Sequence, residues 1–280
     1  MLRVRQRASL QTEGEQMRRI FSFGGGVQST AALILASQGK IQYDEFVFSN
    51  VGEDSENPAT IEYVETYTKP FAEKHGIKFT EIRKTRFGKP VSLYEYLVGD
   101  NKSIAIPVYL ANGMPANRIC TTDWKVIAIA KYIRESGHRE ATIGLGISVD
   151  EIHRAHTLPP EGRKVSGMIQ HVEYPLIDLG LSRADCHRII QDAGLPDAPK
   201  SSCWFCPYHR TSAWTEMRME QPELFDRAVE LEKRLNEKRD NIGKDKVTLH
   251  RSGLPLDQAI GLQDNFFDEF DNCESGYCMV

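Results

Sequence analysis

Residues 20–30 constrain the fold of this chain more than any other stretch. A short apolar run leads into three consecutive glycines, Gly24, Gly25 and Gly26, and an alanine- and leucine-rich run begins at Ala31. This order predicts a β-strand, a tight turn and the N-terminus of a helix. Glycines let backbone N–H groups approach an anion closely, and a helix start adds unpaired donors and the positive end of its dipole. The segment predicts either a phosphate-binding turn or an ordinary tight strand-to-helix connection.

The glycine turn differs from the two commonest phosphate loops. Its glycines are contiguous rather than spaced as in the dinucleotide fingerprint, and the Lys of the P-loop is absent. Ser29 and Thr30 add two hydroxyl donors at the start of the predicted helix. An anion cradle of main-chain amides and hydroxyls is therefore expected here, without a lysine.

The rest of the chain predicts an α/β fold with a doubly wound parallel sheet. Further strands are predicted from short apolar runs at residues 46–49, 78–82 and 141–146. Helices are predicted from apolar spacing and from N-terminal capping residues, with starts near Asn57, Asp123, Ser182 and Pro222. Strands that alternate with helices at this pitch are typical of a parallel sheet. Residues 1–18 are predicted to be a flexible leader, and residues 201–280 a helical extension that contains cysteines.

Bulk composition limits the classes of function. The chain has 280 residues, 40% of them hydrophobic and 26% charged, and a net charge of −4, so it gives no global electrostatic case for binding nucleic acid. Local basic groups occur near the N-terminus and around residues 83–86, but such clusters are usually solvated faces. The N-terminal segment lacks the apolar core of a signal peptide, and no run reaches the roughly 20 apolar residues of a membrane span. A cytoplasmic protein with reduced thiols, not associated with a membrane, is expected.

Six cysteines in such a protein indicate metal or redox chemistry more than structural disulfides. The motif Cys203-Trp204-Phe205-Cys206 is compatible with zinc, an iron–sulfur cluster or a dithiol. His209 adds a candidate nitrogen ligand. Cys120 stands just before a predicted helix, where the helix dipole would lower the pKa of a thiol. The remaining cysteines are Cys186, expected in the core, and Cys273 and Cys278 in the last eight residues.

Four motifs in a fixed order resemble those of the PAPS reductase family. These are the glycine turn, Arg-x-Cys-x-x-x-x-Lys around Cys120, Gly-x-x-x-Asp-Glu-x-x-Arg from Gly146 to Arg154, and Cys-x-x-Cys-Pro. The turn itself resembles the PP-loop, Ser-Gly-Gly-x-Asp-Ser, of the N-type ATP pyrophosphatases, with Gly24 in place of Ser and Gln28 in place of Asp. Ser148 stands where the family commonly has Arg. The resemblance covers roughly residues 19–235, and the branch most similar to this chain is that of the DNA phosphorothioation ATP pyrophosphatases.

The resemblance implies a nucleotide-binding α/β domain at residues 19–200, with an adenine nucleotide α-hydrolase-like, Rossmann-like fold. It implies that the following residues bind an adenine nucleotide: Ser22, Gly24, Gly25, Gly26, Gln28, Ser29, Thr30, Glu53, Asp150 and Glu151. Lys125 and Arg154 would neutralise phosphate charge, Mg²⁺ would bridge the leaving pyrophosphate, and Glu53 or Asp54 would hold that metal or the ribose. Cys120, Cys203 and Cys206 would hold a [4Fe–4S] cluster, with Zn²⁺ as the alternative metal. The fourth iron would either have no protein ligand or be bound by Cys273, Cys278 or His209.

Two enzymatic readings and one binding function follow from the resemblance. In the first, ATP adenylates an acceptor, pyrophosphate leaves and sulfur displaces AMP; the sulfur donor would be a protein such as a cysteine desulfurase. In the second, the ligand is PAPS or adenylylsulfate, and a thiolate of Cys273 or Cys278 attacks its sulfur and releases sulfite, with thioredoxin as reductant. The third is a non-catalytic nucleotide- or cluster-binding module. The first reading is favoured because the tail lacks the reductase signature. The acceptor class stays open, nucleic acid included, and a homodimer is a further expectation.

Overall fold

The computed structural model of the chain describes residues 17–155, 159 and 161–261. This part contains eight strands: β1 (Arg18–Phe23), β2 (Glu45–Asn50), β3 (Phe79–Arg83), β4 (Thr85–Arg86), β5 (Lys89–Pro90), β6 (Glu140–Leu145), β7 (Arg163–Val165) and β8 (Met168–Glu173). Because β1 begins at Arg18, the last residue assigned to the leader belongs to the sheet. Residues 1–16 of the predicted leader lie outside the described residues, and so do Cys273 and Cys278.

Ten α-helices lie in the same described ranges: α1 (Val27–Ser37), α2 (Pro58–Tyr63), α3 (Lys69–Lys74), α4 (Leu93–Val98), α5 (Ile127–Glu135), α6 (Pro175–Asp178), α7 (Arg183–Asp192), α8 (Thr211–Glu220), α9 (Pro222–Asp240) and α10 (Leu256–Ala259). A π-helical segment, Val64–Thr68, joins α2 to α3, and another, Thr121–Val126, leads into α5. A 3₁₀ helix spans Val149–Arg154. No helix of the described residues is long and apolar enough to cross a membrane.

The central sheet has six strands in the order β3-β2-β1-β6-β8-β7. Neighbouring strands from β3 to β8 run parallel, and β7 pairs antiparallel with β8 at one edge. This arrangement confirms the predicted α/β fold with a mostly parallel sheet. Strand order reverses at β1, which lies between β2 and β6, and open α/β sheets bind ligands at the carboxyl ends of strands beside such a switch point. The glycine turn follows β1 directly at this place.

Side chains alternate between the two faces of the sheet and build two of the three cores. Phe21 and Phe46 pack with α1 and α7 on one face, whereas Ile20 and Val47 pack with α5 on the other. A third cluster joins α4, α8 and α9 to Trp124, Trp204 and Phe205. It draws residues from both sides of the predicted boundary at residue 200.

The predicted helix starts are confirmed at Asn57, Ser182 and Pro222. Asn57 Oδ1 accepts the Ala59 amide at 2.9 Å, and Ser182 forms a capping box with Asp185. The helix predicted near Asp123 instead begins at residues 119–120. Its first turn is satisfied by tertiary contact, because the Cys120 amide donates to the Ala105 carbonyl at 2.7 Å, and so no capping side chain marks the start in the sequence.

Candidate functional site

The glycine turn is tightly enclosed. Gly25 has a φ of +81°, a region that favours glycine, and a Cβ atom there would lie 2.8 Å from Thr60 Cγ2. Gly26 is the N-cap of α1, and a Cβ atom on it would lie 3.3 Å from Ser201 Oγ. The backbone at Gly25 and its surroundings therefore both require glycine, which a simple strand-to-helix connection does not need.

The two predicted hydroxyl donors stiffen the turn. Ser29 Oγ donates to the Gly26 carbonyl at 2.9 Å and accepts the Gly26 amide at 3.1 Å, and Thr30 Oγ1 donates to the same carbonyl at 3.0 Å. Both side chains are buried. The donors that α1 offers to an anion are instead the amides of its first turn, at Val27, Gln28 and Ser29, which have no acceptor within the helix.

A buried polar chain runs from α1 to the 3₁₀ helix. Gln28 Nε2 donates to Glu151 Oε2 at 3.3 Å, and Arg154 Nη1 pairs with the same oxygen at 2.8 Å. Glu151 and Arg154 are 9% and 7% exposed, and Arg154 Nε has no hydrogen-bond partner among the described residues. A buried guanidinium with an unused donor beside the turn is suited to an incoming anion.

Asp150, predicted to bind the nucleotide, has a structural role in this arrangement. Its Oδ2 accepts the Arg183 amide and the Ser148 hydroxyl, the latter at 3.3 Å. The carboxylate therefore binds the first amide of α7 and ties the 3₁₀ helix to that element. Ser22 is buried within β1, and Gly24 is buried after it.

Three cysteines and a lysine, far apart in the sequence, meet at one cavity. Cys120, Lys125, Cys203 and Cys206 line a space of about 40 Å³. The other residues that line it are Val51, Leu93, Pro107, Arg118, Thr121, Ser201, Ser202 and Tyr208. We name this space the cysteine cavity. Its lining brings together the three predicted cluster ligands and one of the predicted phosphate-binding cations.

The residues between Cys203 and Cys206 explain how the two cysteines come to face the cavity. Trp204 and Phe205 are buried in the third cluster, and Trp204 Nε1 donates to the Asp54 carbonyl at 2.7 Å. The Cys206 amide donates to the Cys203 carbonyl at 3.0 Å, which closes a tight turn. The two aromatic side chains anchor the motif, and both cysteines stay half-buried at its surface.

His209 supports the cysteine motif through a hydrogen bond to its backbone. Its Nε2 lies 3.0 Å from the Cys203 carbonyl, in hydrogen-bonding contact. Burial lowers the pKa of His209 to about 4, so the neutral ring donates this hydrogen bond from Nε2. The nitrogen that faces the cysteine motif is thereby occupied by a backbone carbonyl.

The glycine turn and the cysteine cavity share a wall. Ser201 lines the cavity, and its Cβ atom lies 3.6 Å from the Cβ position of both Gly25 and Gly26. The loop after β2 holds this wall in place, since the Asn57 amide donates to the Ser202 carbonyl at 3.0 Å and the Trp204 amide to the Ser55 carbonyl at 3.2 Å. The carboxyl ends of the parallel strands are therefore the place where three segments meet: the turn after β1, the loop after β2 and the cysteine motif.

Glu53 lies apart from this assembly. Its carboxylate pairs with Arg83, and the two residues line a separate surface cavity of about 320 Å³ together with Asp54. Asp54 accepts the Ser92 hydroxyl at 2.7 Å. The structure does not bring Glu53 or Asp54 to the cysteine cavity.

The cysteine cavity is lined by three thiols, the donors expected of both metal alternatives. No group of three or more His, Cys, Asp and Glu side chains within the described ranges is arranged to hold one metal ion. A [4Fe–4S] cubane is larger, and its cysteine ligands need not converge on a point. Cys120, Cys203 and Cys206 offer three thiols to such a cluster, and the space between them, about 40 Å³, would have to widen to hold it.

Sequence reasoning gave no role to two residues at this cavity. Arg118 Nη2 donates to Thr121 Oγ1 at 3.3 Å, and its guanidinium lies 5.4 Å from the centre of the Tyr208 ring. Arg118 is the Arg of the Arg-x-Cys motif, so the motif could have indicated it. Tyr208 follows the Cys-x-x-Cys-Pro motif, which gives no sign that its ring reaches the cavity.

Comparisons with known proteins give a fold-level similarity. No protein-family model matches the chain, and no curated protein matches it. Among solved structures it is similar to the U34-tRNA thiolase NcsA from Methanococcus maripaludis with its [4Fe-4S] cluster, at 14% identity and a TM-score of 0.39, over 79% of this chain and 72% of that one. A similarity this low carries no inference about chemistry, so the function has to be argued from the site.

Proposed function

We propose that this protein is an ATP-dependent sulfurtransferase of the PP-loop type. The observation that carries the proposal is the shared wall at Ser201, which places Cys120, Cys203 and Cys206 beside the glycine turn. A phosphate cradle alone fits many nucleotide enzymes, and a cysteine cluster alone fits many metal proteins. Their contact favours chemistry in which an activated nucleotide intermediate meets sulfur.

The electrostatics favour a triphosphate at the turn. The first-turn amides of α1 point away from the helix body and carry the positive end of its dipole. Arg154 offers its unused Nε from the neighbouring 3₁₀ helix, and Lys125 and Arg118 add positive charge at the cysteine cavity. These groups would neutralise the phosphates and the pyrophosphate that leaves. Mg²⁺, if bound, would supply further charge on the leaving group.

The proposed reaction has two displacements. An acceptor oxygen attacks the α-phosphorus of ATP, the bond to the bridging oxygen breaks, and pyrophosphate leaves. A sulfur nucleophile then attacks the acceptor carbon, and AMP leaves with the oxygen. A [4Fe–4S] cluster held by Cys120, Cys203 and Cys206 would leave one iron open, where sulfur can be held. The sulfur donor in this proposal is a persulfide carrier such as a cysteine desulfurase. Its outer sulfur attacks the acceptor carbon, and a thiol then attacks the carrier's inner sulfur, which breaks the S–S bond, leaves the transferred sulfur on the acceptor and forms a disulfide between the thiol and the carrier.

The test compares nucleotides on protein purified without oxygen. We expect ATP to bind more tightly than adenylylsulfate or PAPS. We expect pyrophosphate to be released when an acceptor is present, and AMP to be released when a sulfur donor is added as well. Sulfite release from PAPS with thioredoxin would replace the proposal by a reductase. Binding of ATP without turnover across acceptors of every class would replace it by a non-catalytic module.

The cysteines have a matched internal control. Cys203→Ala should abolish the iron content and the brown colour, whereas Cys186→Ala should keep both. Cys186 is fully buried in α7, where desolvation raises the pKa of its thiol to about 12, so it is an inert core residue. Equal iron content in wild-type protein and the Cys203→Ala variant would remove the cluster from the proposal.

A further inference from the structure

A short basic hairpin follows β3 at the carboxyl end of the parallel strands, where the proposed site also lies. Residues 85–90 form it, with β4 and β5 paired so that Arg86 lies directly opposite Lys89 and Thr85 opposite Pro90. The hairpin follows β3, which runs parallel to β2 and β1. The base of the hairpin therefore lies at the carboxyl ends of the parallel strands, as the glycine turn does.

The base of the hairpin is fixed to the helix that carries Lys125. Lys84 Nζ pairs with Asp123 at 3.1 Å and lies 3.8 Å from the centre of the Trp124 ring. Lys131 Nζ donates to Thr85 Oγ1 at 2.7 Å. A surface loop tied down at three points is a preformed feature rather than a slack connection.

The acidic groups near the hairpin base are already paired with cations. Glu53 pairs with Arg83, Asp123 pairs with Lys84, and Glu135 lies 3.7 Å from Lys131. At the tip, Arg86 and Lys89 are exposed, and neither has an acidic partner within the described ranges. Like charges directly opposite each other destabilise a pair of strands, so this placement costs stability unless an anion bridges them.

The turn of the hairpin presents an aromatic ring to solvent. Phe87 is 93% exposed, the largest exposure of any bulky apolar side chain in the described residues. Its φ is +50°, which is rare for a bulky residue. Arg86 lies 5.4 Å from the centre of this ring, so cation and aromatic group form one unit. An exposed ring between two cations is what stacking of a nucleobase with phosphate contacts on either side requires.

We propose that the basic hairpin binds single-stranded nucleic acid, with a base stacked on Phe87 and phosphates on Arg86 and Lys89. If the chain is the sulfurtransferase proposed above, on which this step rests, the acceptor is a base of that strand. Because the net charge of −4 gives no global attraction for a polyanion, the binding would depend on the groups of the hairpin itself.

The binding experiment needs neither ATP nor an iron–sulfur cluster, so its outcome is independent of the sulfurtransferase test. Labelled oligouridine and oligothymidine of about 15 nucleotides are titrated with the full-length protein at several salt concentrations. Phe87→Ala should weaken binding by about fivefold or more, the lower bound for loss of one base–aromatic stack. Phe87→Trp should restore it, and Phe87→Leu, which is apolar without a stacking face, should not. The two labelled strands distinguish RNA from DNA.

Arg86 and Lys89 should instead affect how strongly the binding constant depends on salt concentration. The Arg86→Gln, Lys89→Gln double variant should lower the slope of log K against log salt by about 1.4, which is about 0.7 for each phosphate contact on a single strand. Phe87→Ala should leave that slope unchanged. The control variants are Met219→Ala, another exposed apolar side chain, and Lys74→Gln, an exposed lysine at the end of α3. Both should bind as wild type does.

Three results would overturn the inference. The first is no binding of either strand at low salt, and the second is equal affinity for wild type and Phe87→Ala. The third is an affinity for heparin that falls in parallel with that for the oligonucleotides in every variant, which would show a non-specific anion patch. A hairpin that instead contacts a protein partner would produce the second result. Thermal unfolding of each variant confirms that the fold is retained.

Discussion

The glycine turn and the cysteine cavity lie side by side but are built in opposite ways. The turn comes from one continuous stretch, and its Ser29 and Thr30 hydroxyls are buried and bonded within it. The cavity is assembled from several separate segments of the chain, and its three cysteines remain half-buried. If the proposed function is right, the turn is a preorganised site for an anion, whereas the cavity would have to open for a cluster.

This difference is consistent with separate roles for the glycine turn and the cysteine cavity. A rigid turn holds phosphate without rearrangement, which suits a cradle that must stay fixed while charge develops. An adaptable cavity suits a group that enters after folding. Substitutions in the turn should therefore affect stability strongly, and substitutions around the cavity should act mainly on what it binds.

The largest effect on stability is expected at the buried ion pair beside the turn. Arg154→Met leaves Glu151 as a buried charge without its cation and should lower the free energy of unfolding by about 3–5 kcal/mol. Arg188→Met is the matched control, because Arg188 makes the same i,i+3 type of pair with Asp185 but is exposed. It should cost about 0–1 kcal/mol. Denaturant unfolding measures both, and equal losses would contradict a buried, preorganised turn.

A smaller effect is expected from the glycine turn itself. Gly25→Ala places a Cβ atom at positive φ and 2.8 Å from Thr60 Cγ2. Gly39→Ala has a similar φ of +72° with open space around it, so it isolates the backbone strain of about 1–2 kcal/mol. Gly25→Ala should cost about 1–3 kcal/mol more through overpacking, and it alone should weaken ATP binding. Loss of ATP binding in both variants would show that the effect is not local.

The smallest effect concerns the support of the cysteine motif and depends on pH. The folded-state pKa of His209 is about 4, below its ordinary value of 6.5, so the unfolded state binds the proton first as the pH falls. Stability is then complete above about pH 6.5 and is lost between there and pH 4, by about 2 kcal/mol at pH 5.

The pH dependence has its own control variants. His209→Gln, which keeps an N–H donor for the Cys203 carbonyl, should remove this loss, and the exposed His75→Gln should keep it. Denaturant unfolding at pH 7 and pH 5 gives the comparison. An acid sensitivity unchanged by His209→Gln would show that His209 does not titrate in this window.

Secondary-structure elements that depend on nearby residues could be predicted from the sequence, and elements that depend on tertiary contacts could not. Short apolar runs predicted β1, β2, β3 and β6, and the Asn57-Pro58 signal predicted α2, because those preferences act over a few residues. The antiparallel β7–β8 edge, α4 and the early start of the helix at Cys120 depend on partners elsewhere in the chain, such as the Ala105 carbonyl. Asp150 illustrates the same limit within the site, since only the fold shows that it binds the start of α7.

The site was predictable as a set of residues and not as a geometry. The resemblance grouped Cys120, Cys203 and Cys206 as ligands and assigned Lys125 to phosphate charge, and all four residues line one cavity. The contact of Ser201 with the glycine turn had no counterpart in the sequence, because it depends on how the loop after β2 docks the cysteine motif. Glu53 was chosen for its position in a loop, and its pairing with Arg83 is a tertiary event.

One measurement tests most directly whether the turn and the cavity are a single site. ATP is titrated into anaerobic, iron-loaded protein while the visible absorption of the iron–sulfur chromophore is recorded. Because Ser201 joins the two regions, ATP should perturb that absorption, and Gly25→Ala should abolish the perturbation while it leaves the iron content unchanged. ATP that binds tightly without changing the spectrum, or a spectral response that survives Gly25→Ala, would contradict the account.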